Sequence, residues 1–457
     1  MGRENLDYDC IVVGGGINGA GAFRDLALHG VKTLLLEKGD FSGQTSAKSS
    51  KMLHGGIRYL EQLEFSLIHE ALSEKNLWLN IAPQLCYSRR FYLPVYKQSK
   101  YPLMAMAAGV KLYDALSFFK NIPSGLLSKT QIKEKFPLLQ SRDLSGAVSY
   151  HDAIVDDTKM TLECIYDGLK TPGNQALNYH EVVEVRKQGS AWCLKARKSF
   201  TGETIDFTAK NVIFTTGPFT DFIMEELKID WRPRVLPSVG AHLWFSAEKL
   251  PLKHPMVLQL KQDNRVIFVI PQKNHVLVGT TERLERGSLF DLKVTNSETD
   301  YLLNSVNYYF PGLGLSEKDI IHSISGVRPL VLSGGTNQHQ TSRRHAEFSP
   351  SQGLHIILGG KYTTFRVMVQ EVCRRVVQSI GKSYDCNKTL MDLRQHSVLP
   401  AFVPRDFDES VLRAIATREL ARTSEDFLER RIGRPNIHRW TGSGSLADAI
   451  DRVLKHP

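Results

Sequence analysis

The stretch Cys10-Ile-Val-Val-Gly-Gly-Gly-Ile-Asn-Gly-Ala-Gly21, closing at Glu37, constrains this chain more than any other part of its 457 residues. An apolar run from Cys10 to Val13 reads as a buried parallel strand. Gly14, Gly16 and Gly19 follow at G-x-G-x-x-G spacing. A helical stretch, Ala20 to His29, then leads through Gly30 into a second apolar strand, Val31 to Leu36, that ends in an acid. The first glycine makes a tight turn. The second lets backbone approach a pyrophosphate at the helix N-terminus, and the third lets helix and strand pack closely. Glu37 stands where a carboxylate accepts from ribose hydroxyls. A bare glycine pattern is weak evidence, but strand, helix, strand and terminal acid together predict a βαβ dinucleotide-binding unit, without saying which dinucleotide.

The chain is long enough for two or three domains with proper cores. Its apolar and charged fractions, 42% and 23%, are those of a globular protein. A net charge of +10 suits phosphorylated substrates, an anionic membrane surface or nucleic acid, and equally a basic surface with no specific partner. The six cysteines form no C-x-x-C pair and no zinc-ligand spacing with histidine, so neither metal nor structural disulfide is expected. The first strand begins within about ten residues of Met1, which leaves no room for a signal peptide. The expectation is a protein of the cytoplasmic side, soluble or attached peripherally to the inner membrane.

No apolar stretch approaches the ~20 residues that span a bilayer. The nearest, Tyr101 to Phe119, is interrupted by Lys111 and Asp114 and flanked by Lys97, Lys100 and Lys120. It reads as a packing helix or as a segment dipping into a membrane interface with lysines at the headgroups.

Beyond Glu37 lies a small-residue polar stretch, Ser42 to Ser50, then Lys51-Met-Leu-His-Gly-Gly-Ile-Arg-Tyr-Leu60 and a helical period from Phe65 to Ile81 that Pro83 stops. Strand alternation marks Val182 to Val185, Trp192 to Ala196 and Thr204 to Thr208, ending in Asn211-Val-Ile-Phe-Thr-Thr-Gly-Pro218. Later strands flank two turns, Gly326-Val-Arg-Pro329 and Gly359-Gly-Lys361, and a helix follows from Thr363 to Ser379. The architecture that fits is α/β: a Rossmann-like nucleotide domain in three pieces (1–95, 141–234, 326–397), an inserted strand-rich substrate domain (96–140, 235–325), and a small helical C-terminal domain (398–457).

Only one glycine fingerprint is convincing, whereas flavoenzymes fed by NAD(P)H usually carry two. The chain is therefore expected to hold one dinucleotide and to reduce it directly from a substrate. If that dinucleotide is FAD, the junction Gly359 to Thr364 can present backbone amides to the flavin pyrimidine edge, where negative charge develops on reduction.

The combination of VGGGINGAG (Val13 to Gly21), KMLHGGIRYLE (Lys51 to Glu61), Val155-Asp-Asp157, Ser325-Gly-Val-Arg-Pro-Leu330 and GGKYTTFR (Gly359 to Arg366) resembles the FAD-dependent sn-glycerol-3-phosphate dehydrogenases, in the family's order. Phe23, His29 and Phe365 depart from the usual residues, and the C-terminal domain is shorter. The resemblance implies oxidation of sn-glycerol 3-phosphate to dihydroxyacetone phosphate, with hydride passing to flavin N5 and electrons then to a quinone. It also leaves open an oxidase using oxygen, peripheral membrane contact and a homodimer. A hydroxy-acid or amine oxidase of the same fold is the nearest rival. No RNA-binding signature is present, so no nucleic acid is expected.

The resemblance assigns His242, Arg328 and Lys361 to catalysis, His242 as proton acceptor. It assigns Arg58, Tyr59, Arg343 and Thr280 to substrate, with arginine forks suited to phosphate. The Arg343–Arg344 pair leaves open which member acts. Arg58 lies in an apolar, glycine-rich run where an unpaired charge is costly, which favours a substrate role over a structural one. For FAD it implies Gly14, Gly16, Gly19, Glu37, Lys38, Ser46, Ser50, Lys51, Val183 at adenine, Gly217, Gly360, Lys361, Thr363 and Thr364.

Overall fold

The computed structural model describes residues 6–260, 263, 265–285, 287–332, 341–342, 345–403, 405–433 and 439–455. The chain folds into two compact units, crossing between them four times: residues 1–47, 156–237 and 328–457 form the first, and 48–155 and 238–327 the second.

The first unit is built on a largely parallel sheet. β1 (Tyr8–Val13) lies at its centre, between β2 (Thr33–Leu36) and the strand Thr204–Phe214, with Cys10 opposite Thr33 on one side and Asn211 on the other. Leu354–Gly359 extends the sheet beyond Thr204–Phe214, and Gln175–Leu177 extends it beyond β2. Strands covered on both faces carry continuous apolar runs, and β1 and β2 do so. An antiparallel hairpin, His180–Gln188 with Ala191–Lys198, joins through Thr204–Phe214.

The helix α1 (Ile17–Leu28) is buried nearly all round, as a helix packed on several sides must be. Glycines on two neighbouring faces make this possible. The Phe23 ring lies where a side chain at Gly168 would be, 2.5 Å from its ideal Cβ, and the Phe365 ring stands 2.7 Å from that of Gly21. His29 closes the helix, its Nδ1 2.8 Å from the Asp25 carbonyl and its ring stacked at 4.3 Å on Tyr384. The departures Phe23, His29 and Phe365 are thus packing residues of the first unit.

The second unit is a mixed sheet in the order Val235–Ser246, His275–Gly279, Val266–Gln272, Met256–Gln259, Cys86–Tyr96, Leu144–Val155, Met52–Leu53, with Ile320–Leu332 beside Val235–Ser246. A core containing Tyr92, Phe136, Leu243, Phe245, Ile267 and Leu302 fills it. The helix Phe65–Ile81 has the limits its periodicity predicts.

Several expectations change. Residues 48–95 and 141–155, assigned to the nucleotide domain, belong to the second unit, because Cys86–Tyr96 and Leu144–Val155 pair along their whole length in its sheet. Apolar alternation tells which face of a strand is buried, not which sheet it joins. The C-terminal stretch 398–457 has its own core around Leu412, Phe427 and Ile450 but clusters with the first unit. Gly326 to Pro329 is not a turn: the strand runs unbroken from Ile320 to Leu332. Gly326 answers instead to a close approach, since an added Cβ would stand 2.7 Å from the Lys48 carbonyl oxygen.

The segment Tyr101 to Phe119 contains the helix Leu103–Leu116, which buries Val110, Tyr113 and Asp114 and leaves Met104 and Leu112 exposed; Phe118 and Phe119, just past its end, are exposed too. No helix among the described residues is long and apolar enough to cross a membrane.

Candidate active site

In the first unit the candidate site is mainly backbone. Gly14 leaves β1 at φ +109, and a Cβ there would press to 2.8 Å of the Thr215 carbonyl oxygen. A Cβ on Gly19 would lie 1.8 Å from the Gly14 oxygen, so only hydrogen fits. Gly16 is the N-cap of α1 in extended conformation and makes no side-chain cap. Instead the Ser46 hydroxyl accepts the Ile17 amide at 2.8 Å, which brings Ser46 to the helix N-terminus as expected of a pyrophosphate neighbour.

Glu37 bridges the glycine loop to its own strand end, its carboxylate accepting the Gly15 amide at 2.6 Å and the Gly39 amide at 2.8 Å. These take two of the roughly four acceptor positions of a carboxylate, leaving capacity for ribose hydroxyls. Burial pushes its pKa up, against the pull of those two amides. Lys38, by contrast, is turned outward to Glu181 at 2.6 Å.

Val183 sits where the hairpin register slips between Val182 and Glu184. A bulged residue has no ladder partner and can offer its own amide and carbonyl to a ligand. Gly217, at φ +56, opens the short turn Gly217–Phe219 after the strand Thr204–Phe214. Gly360, at φ +83, has the Met368 sulfur where a side chain would go. Lys361 then starts the turn Tyr362–Thr364, with its ammonium nitrogen buried, and Thr363 and Thr364 are buried as well. The helix Phe365–Ser379 follows, and Thr364 gives it no side-chain cap. Arg328 is half-buried in the strand Ile320–Leu332.

In the second unit the candidates are side chains brought together from distant stretches. His242 lies in the strand Val235–Ser246, only 2% exposed, opposite Gly279 of His275–Gly279. Gly279 is required there: a Cβ would stand 2.2 Å from His242 Cδ2. The Ser50 hydroxyl meets His242 Nε2 at 2.9 Å. Lys51, at φ +57, accepts the Val155 amide on its carbonyl at 3.0 Å. Tyr59 and Arg58 share the turn Ile57–Gln62. The Tyr59 ring is buried over Gly56, whose φ is +81, while Arg58 is exposed. The expectation that Arg58 carries a charge inside a buried apolar run is corrected to this extent: the backbone of Gly55-Gly56 is buried, but Arg58 is an exposed residue, so the cost of an unpaired buried charge does not bear on it. Thr280 Oγ1 donates to the Thr281 carbonyl at 3.1 Å. Arg343 and Arg344 lie outside the described residues.

The family pattern "DAO: FAD dependent oxidoreductase" matches residues 9–364. A glycerol-3-phosphate dehydrogenase of Synechocystis sp. is 34% identical over 397 residues, covering 83% of this chain and 72% of the relative. The chain belongs to the FAD-dependent glycerol-3-phosphate dehydrogenase family. The aerobic glycerol-3-phosphate dehydrogenase of Bacillus subtilis is 31% identical over 367 residues, 80% of this chain and 66% of that one. The X-ray structure of the Bacillus halodurans glycerol-3-phosphate dehydrogenase complexed with FAD superposes with a TM-score of 0.69 at 27% identity, covering 85% of this chain and 68% of that one. The L-alpha-glycerophosphate oxidase of Mycoplasma pneumoniae shares the fold, with a TM-score of 0.66 at 18% identity, over 84% and 98% of the chains.

FAD is the cofactor of this glycerol-3-phosphate dehydrogenase family member, and the first unit fits it. The glycine loop admits close approach by a pyrophosphate, Glu37 keeps acceptor capacity, and the bulge at Val183 exposes backbone. Three pairings escape a reading of the sequence because they join residues far apart in it: Ser50 with His242, Thr281 with Glu298 at 2.8 Å, and Asp40 with Arg430 and Arg431. Only the polar character of 42–50 and the arginine density near 430 hint at two of them.

Proposed function

We propose that this protein oxidises sn-glycerol 3-phosphate to dihydroxyacetone phosphate and passes the electrons to a quinone. The observation that carries the reading is the buried His242, held at Nε2 by Ser50 inside a family of glycerol-3-phosphate dehydrogenases. Bound FAD supplies the hydride acceptor, N5 of its ring. His242 Nε2 takes the proton of the substrate hydroxyl, with the Ser50 hydroxyl orienting the imidazole and able to relay that proton. Arg58 and Arg343 clamp the phosphate bidentately and Tyr59 adds a hydroxyl donor, so that binding energy remote from the reacting carbon positions it. Arg328 and Lys361 stabilise charge developing on the alkoxide oxygen, and Thr280 supports that end as a donor.

Met104, Leu112, Phe118 and Phe119, exposed beside Lys111 and Lys120, suit a peripheral contact with an anionic bilayer, where the quinone resides. Two copies of the chain working as a dimer are compatible with this arrangement.

The test is anaerobic. The purified holoprotein is yellow and bleaches on addition of sn-glycerol 3-phosphate, and ubiquinone restores the colour faster than air. No bleaching with sn-glycerol 3-phosphate but bleaching with 2-hydroxy acids or amino acids transfers the protein to a carboxylate-oxidising reading. Reoxidation faster with air than with quinone makes it an oxidase.

A further inference from the structure

We propose that the C-terminal segment sets the strength of FAD binding through a two-arginine clamp on Asp40. The proposal rests on the reading that the stretch from Glu37 to Ser46 faces the dinucleotide.

Asp40 is buried and receives donors from three directions. Arg430 Nε lies 2.5 Å from Oδ2, the Arg431 fork spans Oδ2 at 2.5 Å and Oδ1 at 2.8 Å, and Asn178 Nδ2 donates to Oδ1 at 3.0 Å. Bidentate, charge-assisted bonds of this kind fix geometry as well as charge. The arginines are themselves held. Arg431, fully buried, gives Nε and Nη2 to the Glu419 carbonyl at 3.0 and 2.8 Å. Arg430 gives Nη2 to Asp426 at 2.7 Å and Nη1 to Glu425 at 3.1 Å. Asp426 also accepts the Tyr179 hydroxyl at 2.7 Å, and Lys159 donates to the Arg431 carbonyl at 2.7 Å. Both arginines sit on the π-helical turn Asp426–Arg431, a local geometry often kept where a side chain must be aimed.

What the clamp grips leads directly to the glycine loop. Three residues before Asp40, Glu37 accepts the Gly15 amide; one residue after it, the Phe41 ring lies 2.6 Å from where a Gly15 Cβ would be; and the Ser42 amide donates to the Gly15 carbonyl at 3.0 Å. The stretch around Asp40 therefore holds Gly15 by its amide, its carbonyl and its α-carbon. The same stretch ends at Ser46 on the first amide of α1. If one arginine is lost, the buried carboxylate is left short of donors and must move toward water. That movement pulls on Gly15 and Ser46, and the pyrophosphate cradle opens. Asp40, Arg430 and Arg431 are positioning residues in this account.

The experiment measures FAD release from holoenzyme after dilution, by the rise of free-flavin fluorescence, together with the melting temperatures of the FAD-loaded and FAD-stripped forms. Arg431→Met and Asp40→Asn are expected to release FAD at least about tenfold faster than the parent. Their effects should not add in the double variant. Leu412→Ala, in the core of the same C-terminal segment and away from Asp40, is expected to lower both melting temperatures yet release FAD within about twofold of the parent. Arg430→Lys keeps the charge and loses the fork; it covers the case in which the Met variant does not fold, and its release rate should fall between parent and Asp40→Asn. Release unchanged in these clamp variants, or equally fast in Leu412→Ala, overturns the proposal. Glu37→Gln tests the underlying reading separately: if it retains FAD while the clamp variants lose it, the ribose assignment fails and the clamp, acting through Gly15, stands.

Discussion

The two units carry their chemistry in different materials. In the first, backbone amides are placed by glycines that no other residue can replace, and side chains such as Glu37 and Ser46 serve that backbone. In the second, the backbone is an ordinary mixed sheet, and the chemistry lies in side chains that meet across it, His242 with Ser50 foremost. Substitutions in the glycine loop, at Glu37 or at Ser46 should change whether the cofactor is held; those at His242 and Ser50 should change how fast a held cofactor is used.

The strongest challenge to that division is Gly19→Ala. Its Cβ would fall 1.8 Å from the Gly14 oxygen, a backbone atom that cannot swing aside. Overpacking of this kind costs roughly 2–3 kcal/mol, about a hundredfold in FAD affinity, so the protein should purify without its yellow absorbance. Full retention of flavin would mean that the cradle is softer than its geometry indicates. Next comes His242→Ala, expected to keep a normal flavin spectrum while kcat falls roughly 10²- to 10⁴-fold, the range for a lost general base. Arg343→Ala should instead raise KM with little change in kcat. The opposite pattern in steady-state kinetics would exchange the two roles. Ser50→Ala should lower kcat by three- to tenfold, about the worth of one neutral hydrogen bond of ~1 kcal/mol.

The same division explains what can be read from the chain before its fold is known. The βαβ unit is local: the strand, the glycine spacing, the helix and Glu37 fall within about thirty residues, and each is under short-range steric control. The junction Gly359 to Thr364 is local in the same way, and the strand Leu354–Gly359 and helix Phe365–Ser379 meet there. The partners of His242 are not local. Ser50 stands 192 residues before it, and nothing in either stretch names the other. Gly326 misleads for a related reason. Glycine beside Val-Arg-Pro has the composition of a turn, but its cause is the Lys48 carbonyl oxygen passing 2.7 Å from where its Cβ would stand, a contact made by tertiary packing alone. Domain boundaries fail similarly at 48–95, where strand pairing with Leu144–Val155 decides membership.

A smaller but sharper test compares the two buried aspartates. Burial alone would push the Asp40 carboxyl up, but the Arg431 and Arg430 guanidiniums outweigh it and hold the group below the ordinary carboxylate value. In the second unit, burial dominates at Asp152 and pushes its pKa up to about 6, because against it stand two neutral donors, the Tyr113 hydroxyl at 3.0 Å and the Gly55 amide, and a Lys75 ammonium no nearer than 3.6 Å. The signs of their pH dependence are therefore opposite. With its folded value raised, Asp152 favours the folded state below about pH 4 and loses that contribution as pH rises through about 6; two units at ~1.4 kcal/mol each amount to on the order of 3 kcal/mol. With its folded value depressed, Asp40 contributes fully above its unfolded value near 4 and loses that contribution as pH falls through the folded value. Urea midpoints across pH 3 to 7 should show Asp152→Asn gaining on the parent as pH rises, and Asp40→Asn staying a constant distance below the parent above about pH 4 and approaching it only below that. Parallel curves for the two variants would mean that donor charge does not separate these carboxylates, and that the second unit holds Asp152 as firmly ionised as the first holds Asp40.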